Sequence, residues 1–154
     1  MTSFLIDSNV LISSYDETEK QHPESYLLVG KAVAGELQAF LAHQNILEYL
    51  AVVTDPGRVE NPLSTREAIK NIEFYTLYLG VIFPKSTTIN TLKKLINLRS
   101  VTRGKIFDLY LAATALDNGI NCICTWNVSD FEGLSEIKPL SPIQILEKLS
   151  EEKY

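Results

Sequence analysis

The sequence predicts an α/β domain in which a mainly parallel sheet carries helices on both faces. Short apolar runs alternate along the chain with longer segments that have the apolar spacing of helices. Helix ends are also marked: Ser64 and Glu67 have capping-box spacing, and Asn118 with Gly119 favours a left-handed helix end. Because strands that alternate with helices are joined by right-handed crossovers, this order indicates a three-layer arrangement.

Five strands and seven helices are expected. "INCICT" is nearly continuous in apolar residues, as is typical of a strand buried on both faces. Its alternation places Cys122 and Cys124 on one face, and their spacing suits neither a zinc site nor a redox pair, so both are expected to be reduced core residues. The expected strands span 3–7, 37–42, 81–84, 120–125 and 137–140. Two helices are expected to begin at residues 10 and 142. The other five are expected to span 22–35, 43–55, 64–80, 87–100 and 105–119.

Length and composition fit an ordinary globular protein. The chain has 154 residues, 45% hydrophobic and 21% charged, and one domain is expected over 1–150 with a short tail at 151–154. No run approaches the roughly 18 to 20 apolar residues that cross a bilayer, and no signal-peptide pattern is present at the start. No membrane association is therefore expected, and the expected location is the cytoplasm.

Charge is distributed unevenly. The net charge of −5 argues against a generic nucleic-acid coat protein, yet no Asp or Glu occurs between Phe74 and Phe107. Such a segment could guide a polyanion past an acidic site, or its basic residues could be solvated side chains on helix faces. The basic residues of this acid-free segment are Lys85, Lys93, Lys94, Arg99, Arg103 and Lys105.

Three acids occupy unusual positions. Asp7 ends the first strand, whereas Glu48 and Asp108 lie in strongly apolar helices. Each has a simpler interpretation: Asp7 as a helix N-cap, Glu48 on an exposed face, and Asp108 as an acid stabilised at a helix N-terminus. A buried isolated carboxylate, however, is costly unless a cation or metal compensates it.

The loop after the fourth strand adds polar residues at the same predicted edge of the sheet. Thr125 ends the strand, and Asn127 and Asp130 follow in a loop where such residues are often turn formers. Because ligand sites of parallel sheets lie at the carboxyl ends of the strands, these side chains are expected near Asp7. Gathered carboxylates repel one another unless a cation neutralises them, and oxygen-only ligands suit Mg²⁺ or Mn²⁺.

The chain resembles the PIN-domain family, and within it the VapC-like toxin ribonucleases. The resemblance is carried by "FLIDSNVLI", "NILEYLAVVTDP" and "KIFDLYLAATALDNGINCICTWNVSDF", whose order and spacing span nearly the whole chain. It implies a five-stranded parallel sheet and an endoribonuclease that depends on Mg²⁺ or Mn²⁺. It also implies a protein that is frequently a homodimer and is inhibited by a small cognate antitoxin.

Carried over position by position, the resemblance implies a catalytic and metal-binding site. Asp7, Glu48 and Asp108 match the three core acids of the family. Asn127 stands where a fourth acid is common, and Asp130 matches the Asp of a trailing "DF" pair, so either could complete the metal site and Asp130 is also a candidate catalytic residue. The candidate substrate-binding residues are Ser8, Asn9, Lys93, Lys94, Arg99, Arg103, Lys105 and Thr125.

Three functions of different kinds are consistent with these residues. The first is metal-dependent RNA cleavage by the toxin of a type II toxin–antitoxin pair. The second is a catalytically inactive PIN-like module that binds RNA or protein, which Asn127 suggests. The third is a phosphatase or receiver-like domain; it ranks last, because "DSN" lacks the second acid of a phosphatase loop and "VIFP" is not followed by Asp.

Overall fold

The computed structural model describes residues 3–151, which form a five-stranded parallel sheet between two layers of helices. The strands are β1 (Phe4–Ile6), β2 (Ala39–Ala42), β3 (Gly80–Ile82), β4 (Cys122–Cys124) and β5 (Lys138–Leu140). The helices are α1 (Ser8–Tyr15), α2 (His22–Val33), α3 (His43–Val53), α4 (Thr65–Tyr78), α5 (Thr88–Leu98), α6 (Lys105–Asp117) and α7 (Pro142–Glu151). Of the predicted tail, Glu151 ends α7, and 152–154 lie outside the described residues.

The strand order is β3-β2-β1-β4-β5, and every neighbouring pair is parallel. The chain therefore builds outward from β1 to β3 and then returns to add β4 on the other side of β1. Ligand sites of α/β proteins lie where the strand order reverses in this way. At that point the Asp7 amide donates a hydrogen bond to the Cys124 carbonyl at 2.9 Å, which joins the ends of β1 and β4.

Two hydrophobic cores cover the two faces of the sheet. Successive residues of β1 point to opposite faces, so Phe4 and Ile6 pack in one core and Leu5 in the other. Strand β4 is divided in the same way, with Cys122 and Cys124 on one face. The prediction that both cysteines are free core residues is confirmed.

Some predicted boundaries shift by a few residues. Helix α1 begins at Ser8 rather than at position 10, because the carboxylate of Asp7 caps its first amide directly. Gly80, predicted to end α4, instead begins β3. There it lies against Phe40, whose ring carbon Cδ1 would be 2.3 Å from a β-carbon added at position 80. Only glycine lets the ring pack this closely on β3.

The helices of residues 3–151 are all too short or too polar to cross a membrane.

Candidate active site

Asp7 lies at the carboxyl end of the central strand and is 8% exposed. Its Oδ1 atom accepts a hydrogen bond from the Ser8 amide at 2.8 Å. Its Oδ2 atom accepts from the Thr125 hydroxyl at 2.8 Å and from the Asn9 side-chain amide at 3.2 Å. The carboxylate thus caps α1 while donors from two strand ends fix its orientation.

The electrostatic environment of Asp7 disfavours its charge. Burial raises the pKa of Asp7 from 3.8 to about 6, and the nearby carboxylates of Glu48 and Asp108 add to the rise. The hydrogen bonds from Thr125 and Ser8 oppose it. Since burial outweighs these donors, ionised Asp7 is a group whose charge a bound cation would stabilise.

Glu48 reaches Asp7 through Ser8. It lies in α3, where Tyr49 and Val53 face the core, and its side chain is partly buried. The Ser8 hydroxyl donates to Glu48 Oε2, and its oxygen lies 3.4 Å from Asp7 Oδ1. The other Glu48 oxygen accepts from the Gln44 side-chain amide at 3.0 Å. One hydroxyl therefore links the two acids.

Asp108 and Asp130 form a second pair of acids, which Lys105 links. The Lys105 ammonium contacts Asp130 Oδ1 closely and lies 3.9 Å from Asp108 Oδ2. Burial raises the pKa of Asp108, the charge of Asp130 adds to the rise, and Lys105 opposes it. The Lys105 cation thus partly neutralises the two acids at the start of α6 and in the loop after β4.

The loop after β4 is held from two directions. Thr125 is fully buried, and its hydroxyl oxygen accepts from the Asn127 amide at 3.0 Å. Arg99 donates from Nη1 to the Asp130 carbonyl at 2.9 Å and also to the Glu132 carbonyl. The side chain of Asn127 is exposed. The guanidinium of Arg99, a candidate for substrate binding, is therefore engaged in fixing the loop.

The remaining basic candidates lie farther along the surface. Lys93 and Lys94 are exposed on α5, and no described ion pair joins either of them to the acids within residues 3–151. Arg103 is exposed in the turn before α6, where its backbone φ of 58° is in the left-handed region. The structure thus brings Lys105 and Arg99 to the site and leaves these three side chains exposed.

Two polar residues of the site escaped the sequence analysis. Gln44 lies one helical turn before Glu48 and holds it, a contact that the i, i+4 spacing could have signalled. Trp126 donates its backbone amide to the Asn9 side-chain oxygen at 3.2 Å. Its indole donates to Ser25 at 2.8 Å, a contact between distant parts of the chain that no local pattern reveals.

The donor set is of the kind that a hard cation prefers, although the side chains are not drawn together around one point. Within residues 3–151, no three His, Cys, Asp or Glu side chains are grouped closely enough to hold a metal ion. Instead Ser8 links Asp7 to Glu48, and Lys105 links Asp108 to Asp130. The charges of Glu48 and Asp108 nonetheless act on Asp7. All the candidate ligands are oxygens, which fits Mg²⁺ or Mn²⁺.

The fold defined by this sheet order and these helices is the VapC-like PIN-domain fold. No protein-family model matches the chain, and no curated protein sequence matches it. Solved structures do match over nearly the whole chain. The predicted fold class, a three-layer α/β PIN-like domain with a five-stranded parallel sheet, is confirmed.

Three of these structures show how far the similarity extends. A chain of VapBC-1 from nontypeable Haemophilus influenzae is 17% identical with a TM-score of 0.65, over 92% of this chain and 99% of that one. A chain of VapBC2 from Rickettsia felis, bound to a promoter DNA fragment, is 10% identical with a TM-score of 0.65, over 91% of this chain and 98% of that one. VapC20 from Mycobacterium tuberculosis, a toxin that cleaves the sarcin-ricin loop, is 11% identical with a TM-score of 0.63, over 88% of this chain and 99% of that one.

Proposed function

We propose that this protein is a metal-dependent endoribonuclease of the VapC kind. The observation that carries the proposal is that Asp7 lies at the strand-order reversal of a VapC-like fold, where the charges of Glu48 and Asp108 act on its buried carboxylate. The similar VapC20 is described as a toxin that cleaves the sarcin-ricin loop, and a nuclease role for this chain agrees with that similarity.

Asp7, Glu48 and Asp108 would hold Mg²⁺ or Mn²⁺, with Asp130 or Asn127 as the fourth position. When bound, such a cation supplies the polarisation of a phosphodiester and of the attacking water. Its positive charge would also stabilise the ionised forms of Asp7 and Asp108, whose pKa values are raised by burial and by neighbouring carboxylates. Binding requires side-chain adjustment, because Ser8 and Lys105 now occupy the space between the acids.

The neighbouring polar residues would act by positioning. Thr125 and Asn9 hold the Asp7 carboxylate, and Ser8 holds Glu48. Lys105 is half exposed, and its ammonium would contact an RNA phosphate if a cation held Asp108 and Asp130. The exposed Lys93 and Lys94 would follow the RNA backbone at a greater distance from the acids.

The expected partners follow from the same proposal. VapBC-1 and VapBC2 are toxin–antitoxin complexes, and we propose a small cognate antitoxin for this chain as well. We also propose that this chain forms a homodimer and acts as the toxin of a type II pair. Co-expression with the protein encoded next to it, followed by size-exclusion chromatography, tests both the complex and the oligomeric state.

Substitution of the central acids tests the catalytic proposal. Asp7→Asn and Asp108→Asn keep the side-chain shape and remove one charge, so RNA cleavage in Mg²⁺ or Mn²⁺ is expected to fall by at least about 100-fold, as is common when charge stabilisation at a reacting centre is lost. Glu24→Gln, a change in the first turn of α2, serves as the matched control. Wild-type cleavage rates in both Asn variants would contradict the assignment.

A second function is favoured by one observation. The loop acid Asp130 is neutralised by Lys105, and Asn127 stands where an acid is common in the family, so the site could bind RNA or a protein without cutting. Purified protein that binds RNA tightly yet leaves it intact in both Mg²⁺ and Mn²⁺ would establish this inactive module. Cleavage that depends on Asp7 would exclude it.

A further inference from the structure

A row of hydrogen bonds joins the loop after β4 to helices α2 and α1. The Trp126 indole donates from Nε1 to Ser25 Oγ at 2.8 Å, and Ser25 Oγ lies 2.6 Å from Ser13 Oγ. The Ser13 hydroxyl donates to the Val10 carbonyl at 3.2 Å. Because this contact engages the only proton of the Ser13 hydroxyl, Ser25 is the donor between the two serines. Every proton of the row then has an acceptor.

The two serines of this row are closed to solvent. Ser25 is 0% exposed and Ser13 is 3% exposed. Ser25 shares the buried face of α2 with apolar residues such as Leu28 and Val29. Burying a hydroxyl costs stability unless it is hydrogen-bonded, so packing alone would be served at least as well by alanine. The Ser25 hydroxyl is therefore best explained by the polar group that it receives, the indole of Trp126.

Trp126 also contacts the candidate active site. Its backbone amide donates to Asn9 Oδ1 at 3.2 Å. The Asn9 side-chain amide donates in turn to Asp7 Oδ2 at 3.2 Å and to Thr125 Oγ1 at 3.1 Å. The Trp126 ring packs on the core that covers this face of the sheet, and Ser25 fixes its polar end. A displaced indole would therefore move the backbone amide that orients Asn9.

We propose that Ser25 is a positioning residue of the active site, which fixes the Trp126 indole and thereby the amide that orients Asn9. Through Asn9 it sets the orientation of the Asp7 carboxylate. The inference deepens the proposed metal-dependent function and rests on it, because the orientation of Asp7 matters most where that carboxylate binds a cation. It also gives a role in the site to α2, a helix that carries none of the candidate acids.

Hydrogen exchange tests the contact in the metal-free chain. Trp126 is the only tryptophan of the sequence, so the isotope-labelled protein gives a single indole N–H signal in NMR spectra. Ser25→Ala is expected to speed exchange of this proton and of the Trp126 backbone amide about five-fold, as the loss of one hydrogen bond implies. The matched control is Ser14→Ala, which removes a buried hydroxyl that donates to the Leu11 carbonyl instead. Wild-type exchange rates in Ser25→Ala would overturn the inference.

Calorimetric Mn²⁺ titration tests the effect on the site. Ser25→Ala is expected to weaken Mn²⁺ binding about ten-fold, the lower end of what partners of metal ligands contribute. Trp126→Phe keeps an aromatic ring, removes the indole donor and is expected to cause the same loss. Because both variants break one hydrogen bond, the double variant is expected to lose no more affinity than either single variant. Ser14→Ala is expected to lower the urea midpoint while Mn²⁺ affinity stays at the wild-type value, which separates positioning from stability.

Parallel RNA cleavage assays with the unmodified chain keep the two proposals apart. Cleavage by that chain, with wild-type Mn²⁺ affinity in both Ser25→Ala and Trp126→Phe or an equal loss in Ser14→Ala, refutes the positioning role and retains the nuclease. Mn²⁺ binding that depends on Ser25, without cleavage, retains the positioning role and refutes the nuclease. If the unmodified chain binds no Mn²⁺, the metal-dependent nuclease is refuted, and the exchange rates of the metal-free variants alone decide whether Ser25 holds the amide that orients Asn9.

Discussion

At the scale of single residues, the site is organised by the way Asp7 serves two purposes. Its carboxylate caps α1 through the Ser8 amide, which fixes the side chain at the strand end, and it still faces Glu48 and Asp108. A helix N-terminus favours negative charge, but burial of Asp7 outweighs that effect and raises its pKa. The N-cap interpretation and the metal-ligand interpretation of Asp7 are therefore compatible.

The raised pKa of Asp7 predicts a pH-dependent stability. Because the folded state binds the proton more tightly than the unfolded state, with pKa values of about 6 and 3.8, metal-free protein is expected to lose stability as pH rises from about 4 to 6. The contribution reaches about 3 kcal/mol at most, at roughly 1.4 kcal/mol per pKa unit. Urea unfolding of the wild type and Asp7→Asn in chelator across this range measures it. Parallel pH profiles of the two proteins would contradict the prediction.

The Thr125 hydroxyl is expected to act on the proposed metal site through Asp7. It donates to Asp7 Oδ2 and lowers the pKa of that carboxylate, so Thr125→Val removes an orienting donor without removing a candidate ligand. Loss of such a partner commonly costs about 10- to 100-fold in metal affinity or activity. Calorimetric Mn²⁺ titration measures this, and Thr125→Ser is the control that restores the hydroxyl. Equal Mn²⁺ affinity of the Val variant and the wild type would remove Thr125 from this role.

At the scale of secondary-structure elements, the sequence predicts most of what positions the acids. The apolar runs of β1 and β4 and the helices around Glu48 and Asp108 are marked locally, and the structure places them as expected. The local pattern misses features that depend on contacts between elements. Gly80 looks like a helix end in the sequence, but its place in β3 is explained by the Phe40 ring of β2.

The close approach at Gly80 predicts a destabilising substitution. Gly80→Ala forces a β-carbon into the Phe40 ring, an overpacking that typically costs about 1–3 kcal/mol. Gly30→Ala is the matched control: nothing lies within 4 Å of the added carbon, and in the middle of α2 alanine is expected to stabilise by about 0.5–1 kcal/mol. Urea midpoints measure both changes. A Gly80→Ala protein as stable as the wild type would show that the ring moves aside freely.

At the scale of the whole molecule, basic and acidic residues are separated along the chain, but folding brings some of them into contact. The acid-free segment reaches the acids through Lys105, which pairs with Asp108 and Asp130, and through Arg99, which holds the loop after β4. The uneven charge is visible in the sequence, but the pairing of Lys105 with Asp130 spans 25 positions and depends on how α6 packs beside that loop. The candidate acids can therefore be named from the sequence, but the lysine that neutralises two of them cannot.

This separation predicts how RNA binding responds to salt. If Lys93 and Lys94 contact phosphates, the logarithm of RNA affinity falls linearly with the logarithm of salt concentration, and each contact adds about 0.7 to the slope for single strands. Lys93→Gln with Lys94→Gln is expected to lower the slope by about 1.4. The control pair is Lys70→Gln with Lys148→Gln, which removes the same charge from exposed positions on α4 and α7. Fluorescence anisotropy at several salt concentrations gives the slopes. Equal slopes for the two double variants would mean that net charge alone, rather than the acid-free segment, attracts the RNA.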